Sequence, residues 1–293
     1  MSRITPVVFD HVSNACRRFF RDVKGFREVH PQSQLDILTA CEDPNNIRTF
    51  VMNGCIWPLR QTGQMVLEHE MLRDPDAPGY FCVTTSYRDE PNPIEGRHKI
   101  VFPMFEFETH GGMEEMMVLQ RELLEYLGYG PASSFPEGDF DDVAVELGKP
   151  GTDDINANDE MELRRRYGEV FFLKNFPNST SPFWNMQQHD RDDPKYPDHA
   201  KKVDIIMSGH ETIGSAERSC DPDEMRHQFY TISDGGYANK IFKEFTRSRV
   251  EEELEEFLAL PFFKRSGGGI GMTRLADSMV QNNLVPGARV SEE

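Results

Sequence analysis

Apolar residues near the start of the chain recur at the spacing of an α-helix. The pattern predicts a helix over 9–23, because apolar positions three or four residues apart share one helix face. These positions are Phe9, Val12, Cys16, Phe19, Phe20 and Val23. Gly25 can end the helix, and 26–29 then reads as a short strand that Pro31 closes. The sequence therefore predicts a helix followed by a strand.

Two later segments have the composition and alternation of β-strands. The first, 80–88, is rich in Val, Thr and Tyr, and the second, 99–109, interleaves aromatic residues with polar ones. Between them, 89–96 contains the Pro and Gly residues of a loop. Together they predict a β-hairpin with a long loop.

The remaining segments complete a mixed pattern. Helices are predicted at 114–127, where Gly128 is the stop, and at 238–258, and strands are predicted at 170–173 and 203–207. A glycine turn is predicted at 267–271, leading into a helix from about Met272. The acidic, turn-rich segment 135–162 is interpreted as a surface excursion or a lid. We therefore predict a single α/β (α+β) domain over 1–293, with antiparallel strands carrying the polar groups.

Composition narrows the function classes. The chain has 293 residues and 38% hydrophobic content, enough for one large core, and no apolar run that could span a bilayer. We expect no secretory signal, and the five scattered cysteines favour reduced thiols in a cytosolic protein. The net charge of -18 argues against extensive binding of DNA or another polyanion, but leaves room for a small basic pocket.

The predicted hairpin carries the first group of candidate site residues. Phe102, Glu106 and Glu108 share a parity, so their side chains face the same way along a strand. At the loop end, an arginine fork suits a phosphate, and a flat aromatic ring suits adenine. The loop-end residues are Arg88, Glu90, Arg97 and His98. Arg88 alone would be interpreted as a solvated charge, whereas the whole set indicates a nucleotide site.

Two further groups add to this picture. Asp204 and Glu211 flank a predicted strand end at 208–209, and two carboxylates with a triphosphate form a usual Mg²⁺ site. Alone, such a pair is commonly surface charge, and Arg218, which follows the small-residue turn 214–216, gives it weight. The glycine run 266–271 allows a ligand to approach the backbone, and Arg274 follows on the first helical turn.

These segments resemble, in order, the three signature motifs of class II aminoacyl-tRNA synthetases. Residues 23–31 (VKGFREVHP) resemble the first motif, and residues 87–108 (YRDEPNPIEGRHKIVFPMFEFE) resemble the second. Residues 266–275 (SGGGIGMTRL) resemble the third. The pattern Arg-x-Glu, then Arg-His, Phe and paired acids is similar to the aspartate and asparagine subgroup. The resemblance implies the class II fold, an antiparallel sheet flanked by helices, and a homodimer built around 23–31.

The resemblance also implies roles for individual residues. ATP and Mg²⁺ would be the cofactors, and Mg²⁺ would be held by Asp204 and Glu211. The amino acid would be bound by Gln64, Glu106 and Arg218, with Arg218 reading its side chain. Catalysis would rest on Arg88 at the α-phosphate and Arg274 at the γ-phosphate. The residues implied to bind ATP are Arg88, Glu90, Arg97, His98, Phe102, Glu211 and Arg274.

Some positions favour the asparagine branch and others depart from the family. Leu67, Glu106 and Gly214 match asparagine enzymes. The departures, which bear on substrate identity, are Glu217 for a glutamine, Arg265 for a histidine and Thr273 for an acid.

Because the catalytic core begins almost at residue 1, we expect no counterpart of the family's N-terminal anticodon-binding barrel. We therefore expect a free-standing paralogue, similar to archaeal asparagine synthetase-related proteins, which adenylates an acidic amino acid and passes it to ammonia or a small amine. A tRNA recognised through its anticodon is not expected. Two alternatives remain open: aminoacyl transfer to a tRNA, a carrier or another protein, and a regulatory paralogue without catalysis.

Overall fold

The computed structural model describes residues 4–38, 46–90, 93, 99–180 and 182–288. Within these ranges, ten strands are found. They are β1 (Arg27–Glu28), β2 (Thr49–Met52), β3 (Cys55–Pro58), β4 (Gly79–Tyr87), β5 (Val101–His110), β6 (Glu137–Asp139), β7 (Val170–Pro177), β8 (His199–Met207), β9 (His210–Glu217) and β10 (Arg265–Gly271).

Eight of the described strands form one sheet in the order β1-β4-β5-β10-β9-β8-β7-β6, and β2 pairs with β3 in a separate hairpin. The neighbours from β4 through to β7 are antiparallel, while β1 and β6 lie parallel to β4 and β7 at the two edges. The predicted antiparallel core is confirmed, and so is the hairpin of β4 and β5.

Helices cover the sheet. They are α1 (Pro6–Arg17), α2 (Gln64–Arg73), α3 (Met113–Tyr126), α4 (Phe140–Glu146), α5 (Ala157–Tyr167), α6 (Pro222–Thr231), α7 (Gly236–Phe245), α8 (Arg247–Leu258) and α9 (Met272–Gln281). In the part of the chain that the structure describes, none of them is long and apolar enough to cross a membrane.

The first helix begins earlier than its apolar pattern predicted. The side chain of Thr5 accepts a hydrogen bond from the backbone N–H of Val8, and Pro6 occupies the first helical position, where its missing N–H is no loss. The helix continues as a π-helical segment, Arg18–Val23. Phe20 then packs on Phe105 and Phe107 of β5, with ring centroids 5.1 and 5.0 Å apart. This aromatic contact joins the first helix to the core of the sheet.

The glycine run forms a central strand, so the prediction of a turn is wrong. β10 lies between β5 and β9 and is paired with both. A Cβ on Gly267 would stand 1.9 Å from Glu108 Oε2, and one on Gly268 would stand 2.5 Å from Ser215 Cβ. Here glycine is required by close contact with neighbouring strands. The predicted small-residue turn at 214–216 likewise lies within β9.

The long helix predicted at 238–258 is two helices, α7 and α8. Thr246 separates them with a φ of 67°, a left-handed conformation that interrupts the helix and that non-glycine residues adopt rarely. No glycine or proline marks the break, which is why the pattern did not reveal it.

The segment 135–162 is integrated into the fold instead of forming a surface excursion. Its residues 137–139 form the edge strand β6, and α4 follows directly. Phe140 is 1% exposed and lies 5.0 Å from Phe176 of β7 between ring centroids. Its apolar residues Phe140 and Val143 pack against β7, and two of its acidic residues, Asp159 and Glu160, are also buried.

Candidate active site

A cavity of about 1060 Å³ opens on the face of the sheet formed by β5, β8, β9 and β10. The sequence-predicted residues that line it are Gln64, Arg88, Glu90, Phe102, Glu106, Asp204, Glu211, Arg218 and Arg274. Arg97 and His98 lie outside the described residues. The structure thus brings together side chains that are up to 210 positions apart in the sequence, from Gln64 to Arg274.

Cationic and aromatic side chains line part of the cavity. The Arg88 guanidinium lies over the Phe102 ring, 5.8 Å from its centroid. Glu90 accepts a hydrogen bond of 3.0 Å from the Asn46 side chain, which holds it at the base of the hairpin loop. Arg274 donates to the backbone carbonyl of Glu211. Two guanidinium groups in one cavity are a suitable arrangement for a chain of phosphates.

Two carboxylates converge in the same cavity. Ser208 and Gly209 have φ values of 50° and 81° and form the tight turn between β8 and β9. The turn brings the carboxylates of Asp204 and Glu211 together. A Cβ on Gly214 would lie 3.5 Å from Asp204 Oδ1 and 3.4 Å from Glu211 Oε1. Lys202 pairs with Asp204 at 2.9 Å. Within the described ranges no group of three or more His, Cys, Asp or Glu could hold a metal. The converging pair suits Mg²⁺, which takes one or two carboxylates and completes its shell with water and phosphate.

Glu106 also lines the cavity, and it organises the loop before α2. It is 3% exposed, accepts from Gly63 N at 2.8 Å and from Thr84 Oγ1 at 2.5 Å, and is also bonded by the Thr62 hydroxyl. Its carboxylate therefore fixes the loop that presents Gln64. The predicted direct contact of Glu106 with an amino acid stays a prediction.

Gln64 begins α2 and faces a buried polar cluster. Its side-chain nitrogen donates to Glu68 at 2.7 Å and to Asn185 Oδ1 at 3.3 Å. Because both contacts use the amide nitrogen, the amide oxygen is the atom left to accept from a ligand in the cavity.

A four-charge cluster adjoins the cavity and consists of Glu68, Glu108, Arg218 and Arg265, of which Arg218 lines the cavity. All four side chains are at most 3% exposed. Arg218 lies 3.3 Å from Glu108 and 3.7 Å from Glu68, and Arg265 lies 2.6 Å from Glu68. Buried charges are tolerated only when they are paired and hydrogen-bonded, and this alternation of sign satisfies that condition.

The two carboxylates of the four-charge cluster differ in protonation. Burial alone would raise the pKa of Glu68, but the charges of Arg265 and Arg218 outweigh it and hold the pKa below its ordinary value. Burial raises the pKa of Glu108 to about 7, against the opposing charge of Arg218. Glu68 is thus the firmly ionised member, and Glu108 is the one whose charge changes near neutral pH.

Some site residues escaped the sequence analysis. Glu68 stands four positions after Gln64, and this helical spacing could have placed both on one face of α2. Lys202 and Asp277 also line the cavity. Lys202 could have been found because it shares the strand parity of Asp204. For Asp277 the signal was its position three residues after Arg274.

The departure at Glu217 has a structural explanation. Its carboxylate accepts a hydrogen bond of 2.9 Å from the backbone N–H of Met113, the first residue of α3. A negative side chain at this position stabilises the positive end of the helix dipole. Glu217 therefore supports the fold next to Arg218.

The chain is 25% identical to an aspartate–tRNA(Asp) ligase of Pyrobaculum aerophilum over 154 residues, which cover 50% of this chain and 31% of that protein. The chain therefore spans about a third of the length of this curated relative.

Solved structures show the same fold at lower identity. Asparaginyl-tRNA synthetase from Pyrococcus horikoshii, complexed with asparaginyl-adenylate, superposes with a TM-score of 0.74 at 19% identity, covering 98% of this chain and 68% of that one. The Entamoeba histolytica asparaginyl-tRNA synthetase, also with asparaginyl-adenylate, gives 0.71 at 18% identity, with 98% and 67% coverage. Aspartyl tRNA synthetase from the same organism gives 0.64 at 18% identity, with 98% and 59% coverage.

The sequence profile of one family covers nearly the whole chain. The family described as tRNA synthetases class II (D, K and N) matches residues 7–287. This span includes every described strand of the sheet. It also includes every described residue that lines the cavity except Ile4, Thr5 and Ala288. The chain belongs to the class II tRNA synthetase family of the D, K and N group.

Proposed function

We propose that this protein uses ATP to convert an aspartate-like or asparagine-like amino acid into an aminoacyl-adenylate, and then transfers the acyl group to ammonia or a small amine. One observation carries the proposal. A single cavity is lined by Arg88, Arg274, the Asp204–Glu211 pair and Arg218. These are the charges that a triphosphate and a polar amino-acid side chain require.

The first step joins the amino acid to AMP. A carboxylate oxygen of the amino acid forms a bond to the α-phosphorus of ATP as the bond to pyrophosphate breaks. Arg88 and Arg274 donate hydrogen bonds to the phosphate oxygens, on which negative charge builds up, and the cavity holds the two reactants in line. No side chain has to act as a nucleophile.

Asp204 and Glu211 would hold Mg²⁺, which supplies positive charge to neutralise the phosphates when it is bound. Lys202 adds a cation at the same place, since its ammonium group is 2.9 Å from Asp204. Gln64 would accept a hydrogen bond from the α-ammonium group, and Arg218 would donate to the side chain of the amino acid.

In the second step the nitrogen of the acceptor attacks the acyl carbon, and the bond to AMP breaks. The charge of the chain supports a small acceptor, because 50 acidic against 32 basic residues disfavour a long polyanion. If the product is asparagine, the side-chain carboxylate of aspartate must face the α-phosphate.

A second candidate is aminoacyl transfer to a tRNA. It is supported by the relatives described above, which are named as ligases and synthetases acting on tRNA. A local basic surface that docks only the acceptor end of a tRNA is compatible with the overall charge.

The experiment has two stages. Exchange of labelled pyrophosphate into ATP is measured with each candidate amino acid, and Arg88→Ala should lower the rate on the order of 100-fold, since removing one such donor costs about 3 kcal/mol. No exchange with any amino acid would refute adenylation and favour a regulatory role. The active amino acid is then incubated with ammonium or with total tRNA. Amide formed only with ammonium supports the first candidate, and label on acid-precipitable tRNA supports the second.

A further inference from the structure

A β-bulge interrupts the pairing of β8 with β9 close to the two converging carboxylates. Ile205 is paired with Ile213, whereas the next residue of β8, Ile206, is paired with Glu211. Thr212 is therefore the extra residue of β9 at this point. An insertion of one residue moves the side chains on one side of it to the other face of the sheet.

The bulge decides which face of the sheet carries Glu211. Residues three apart in a regular strand face opposite ways, so Glu211 and Gly214 would lie on opposite faces. In the structure they share a face, because a Cβ on Gly214 would stand 3.4 Å from Glu211 Oε1. Gly214 is paired with Asp204, and directly paired residues also share a face. Without the bulge, Glu211 would lie on the face of Ile205, which is fully buried in the apolar core.

A buried glutamate of α5 contacts the bulge. Glu160 is 3% exposed, and its carboxylate accepts a hydrogen bond of 3.2 Å from the backbone N–H of Glu211. A backbone N–H at an irregular point of a strand ladder needs an acceptor, and a buried carboxylate needs donors. The described residues that line the cavity do not include Glu160, so any effect on the site passes through Glu211.

Two other residues of α5 contact the turn that precedes the bulge. A Cβ on Gly209 would stand 2.3 Å from Met161 Sδ. Arg164 donates a hydrogen bond of 3.4 Å to the backbone carbonyl of Ser208. Of these three contacts of α5, that of Glu160 reaches the bulge, which makes Arg164 a suitable control.

We propose that Glu160 is a positioning residue for the metal-binding pair: it holds the bulge of β9 and thereby keeps the Glu211 carboxylate beside Asp204. The inference rests on the proposed function, in which Asp204 and Glu211 hold Mg²⁺. It gives α5 a role in metal binding, although none of the residues of this helix lines the cavity.

The test measures Mn²⁺ binding by water-proton relaxation, without ATP or amino acid, because Mn²⁺ takes the same oxygen ligands as Mg²⁺. The signal that belongs to the site is the part that Asp204→Asn removes. Glu160→Leu lacks the acceptor and should weaken this binding roughly 10- to 100-fold, the usual effect of losing a partner that orients a metal ligand. Glu160→Gln keeps an acceptor oxygen and should bind Mn²⁺ as the native protein does.

Two controls separate positioning from general packing. Arg164→Leu removes a different contact of α5 with the same turn and should leave the Mn²⁺ affinity unchanged. In Glu160→Leu, the affinity for the amino acid in calorimetry should equal that of the native protein. If Glu160→Leu is insoluble, Glu160→Ala also lacks the acceptor and takes its place.

Four results would overturn the inference. The first is a native protein in which Asp204→Asn removes no Mn²⁺ signal, and the second is an unchanged Mn²⁺ affinity in Glu160→Leu. The third is an equal loss in Glu160→Gln, which would show that the charge of Glu160 matters and not its hydrogen bond. The fourth is an equal loss in Arg164→Leu or in amino-acid affinity, which packing alone would give. Mn²⁺ binding requires no chemical step, so a native protein that follows the expected pattern but exchanges no pyrophosphate would refute adenylation and leave this inference standing.

Discussion

The glycines of β10 lead to a prediction that separates two adjacent positions. Replacing Gly268 by alanine places a methyl group 2.5 Å from Ser215 Cβ and 2.8 Å from the backbone oxygen of Gly214. Both contacts are with β9, which is paired on its two sides with β8 and β10. Because the obstructing atoms belong to the interior of a sheet, they can move only if the strand pairing changes. The same methyl on Gly269 would meet the end of the flexible Met104 side chain at 2.7 Å.

The expected magnitude follows from these contacts. Inserting a methyl group into well-packed structure costs about 1–3 kcal/mol. Gly→Ala recovers part of this, about 0.4–1 kcal/mol, because alanine restricts the unfolded chain. The net loss for Gly268→Ala should be about 1–2 kcal/mol, which in a chain of this size lowers Tm by roughly 2–3 °C. Gly269→Ala should change stability by less than about 0.5 kcal/mol, because Met104 can rotate away.

Urea unfolding monitored by circular dichroism gives both free energies, and Gly269→Ala is the matched control. The two variants share the same chemical change and the same strand, so differences in intrinsic propensity cancel. Equal destabilisation of the two would show that the glycines serve strand flexibility and not close contact. A stabilised Gly268→Ala would show that β9 can yield to the added methyl group.

Three further outcomes are expected. Arg274→Ala should slow pyrophosphate exchange on the order of 100-fold, about 3 kcal/mol for one lost phosphate donor, while circular dichroism stays native; an unchanged rate would remove Arg274 from the site. Burial raises the pKa of Glu253, which accepts hydrogen bonds from Ile37 N and Leu38 N, to about 7 from 4.5. Its contribution to stability is therefore full below pH 4.5, and this contribution, at most about 3 kcal/mol, is lost as the pH rises through 7. Glu253→Gln should flatten the pH dependence of the free energy of unfolding in urea between pH 5 and 8, and an unaltered slope would contradict this. Phe140→Ala should lower the free energy of unfolding by about 3–5 kcal/mol in the same assay, since the ring is buried at the end of the sheet. A change near zero would show that 135–162 is a surface excursion after all.

Local sequence patterns were sufficient to predict the part of the site that a single segment of the chain forms. The hairpin of β4 and β5 was predicted within one or two residues, because alternation and the Pro–Gly loop act over short distances. The shared face of Phe102, Glu106 and Glu108 followed from strand geometry. The family resemblance brought in the distant members, Asp204, Glu211 and Arg274, that no local pattern could join to the hairpin.

What sequence patterns missed depends on contacts between distant segments. The glycine run looks like a turn until β5 and β9 are known to lie against it on both sides. The break at Thr246 has no local signal. The pairing of Glu68 with Arg265 joins positions 197 apart, and an isolated glutamate on a helix is normally a surface charge. In each case burial and strand order, which are properties of the whole fold, decided the outcome.

The place of β10 in the sheet has a consequence for the order in which the molecule can form during synthesis. β10 follows the other described strands in the chain, yet it lies between β5 and β9 in space. A nascent chain that lacks it holds two separate groups of strands, β1-β4-β5 and β9-β8-β7-β6, with no strand in common. Arg88 and Glu106 belong to the first group, and Asp204 and Arg218 belong to the second. The strand pairing that joins the two halves of the cavity is therefore complete only when residues 265–271 have left the ribosome and paired with both, so a chain interrupted before β10 should bind the nucleotide and the amino acid together far more weakly.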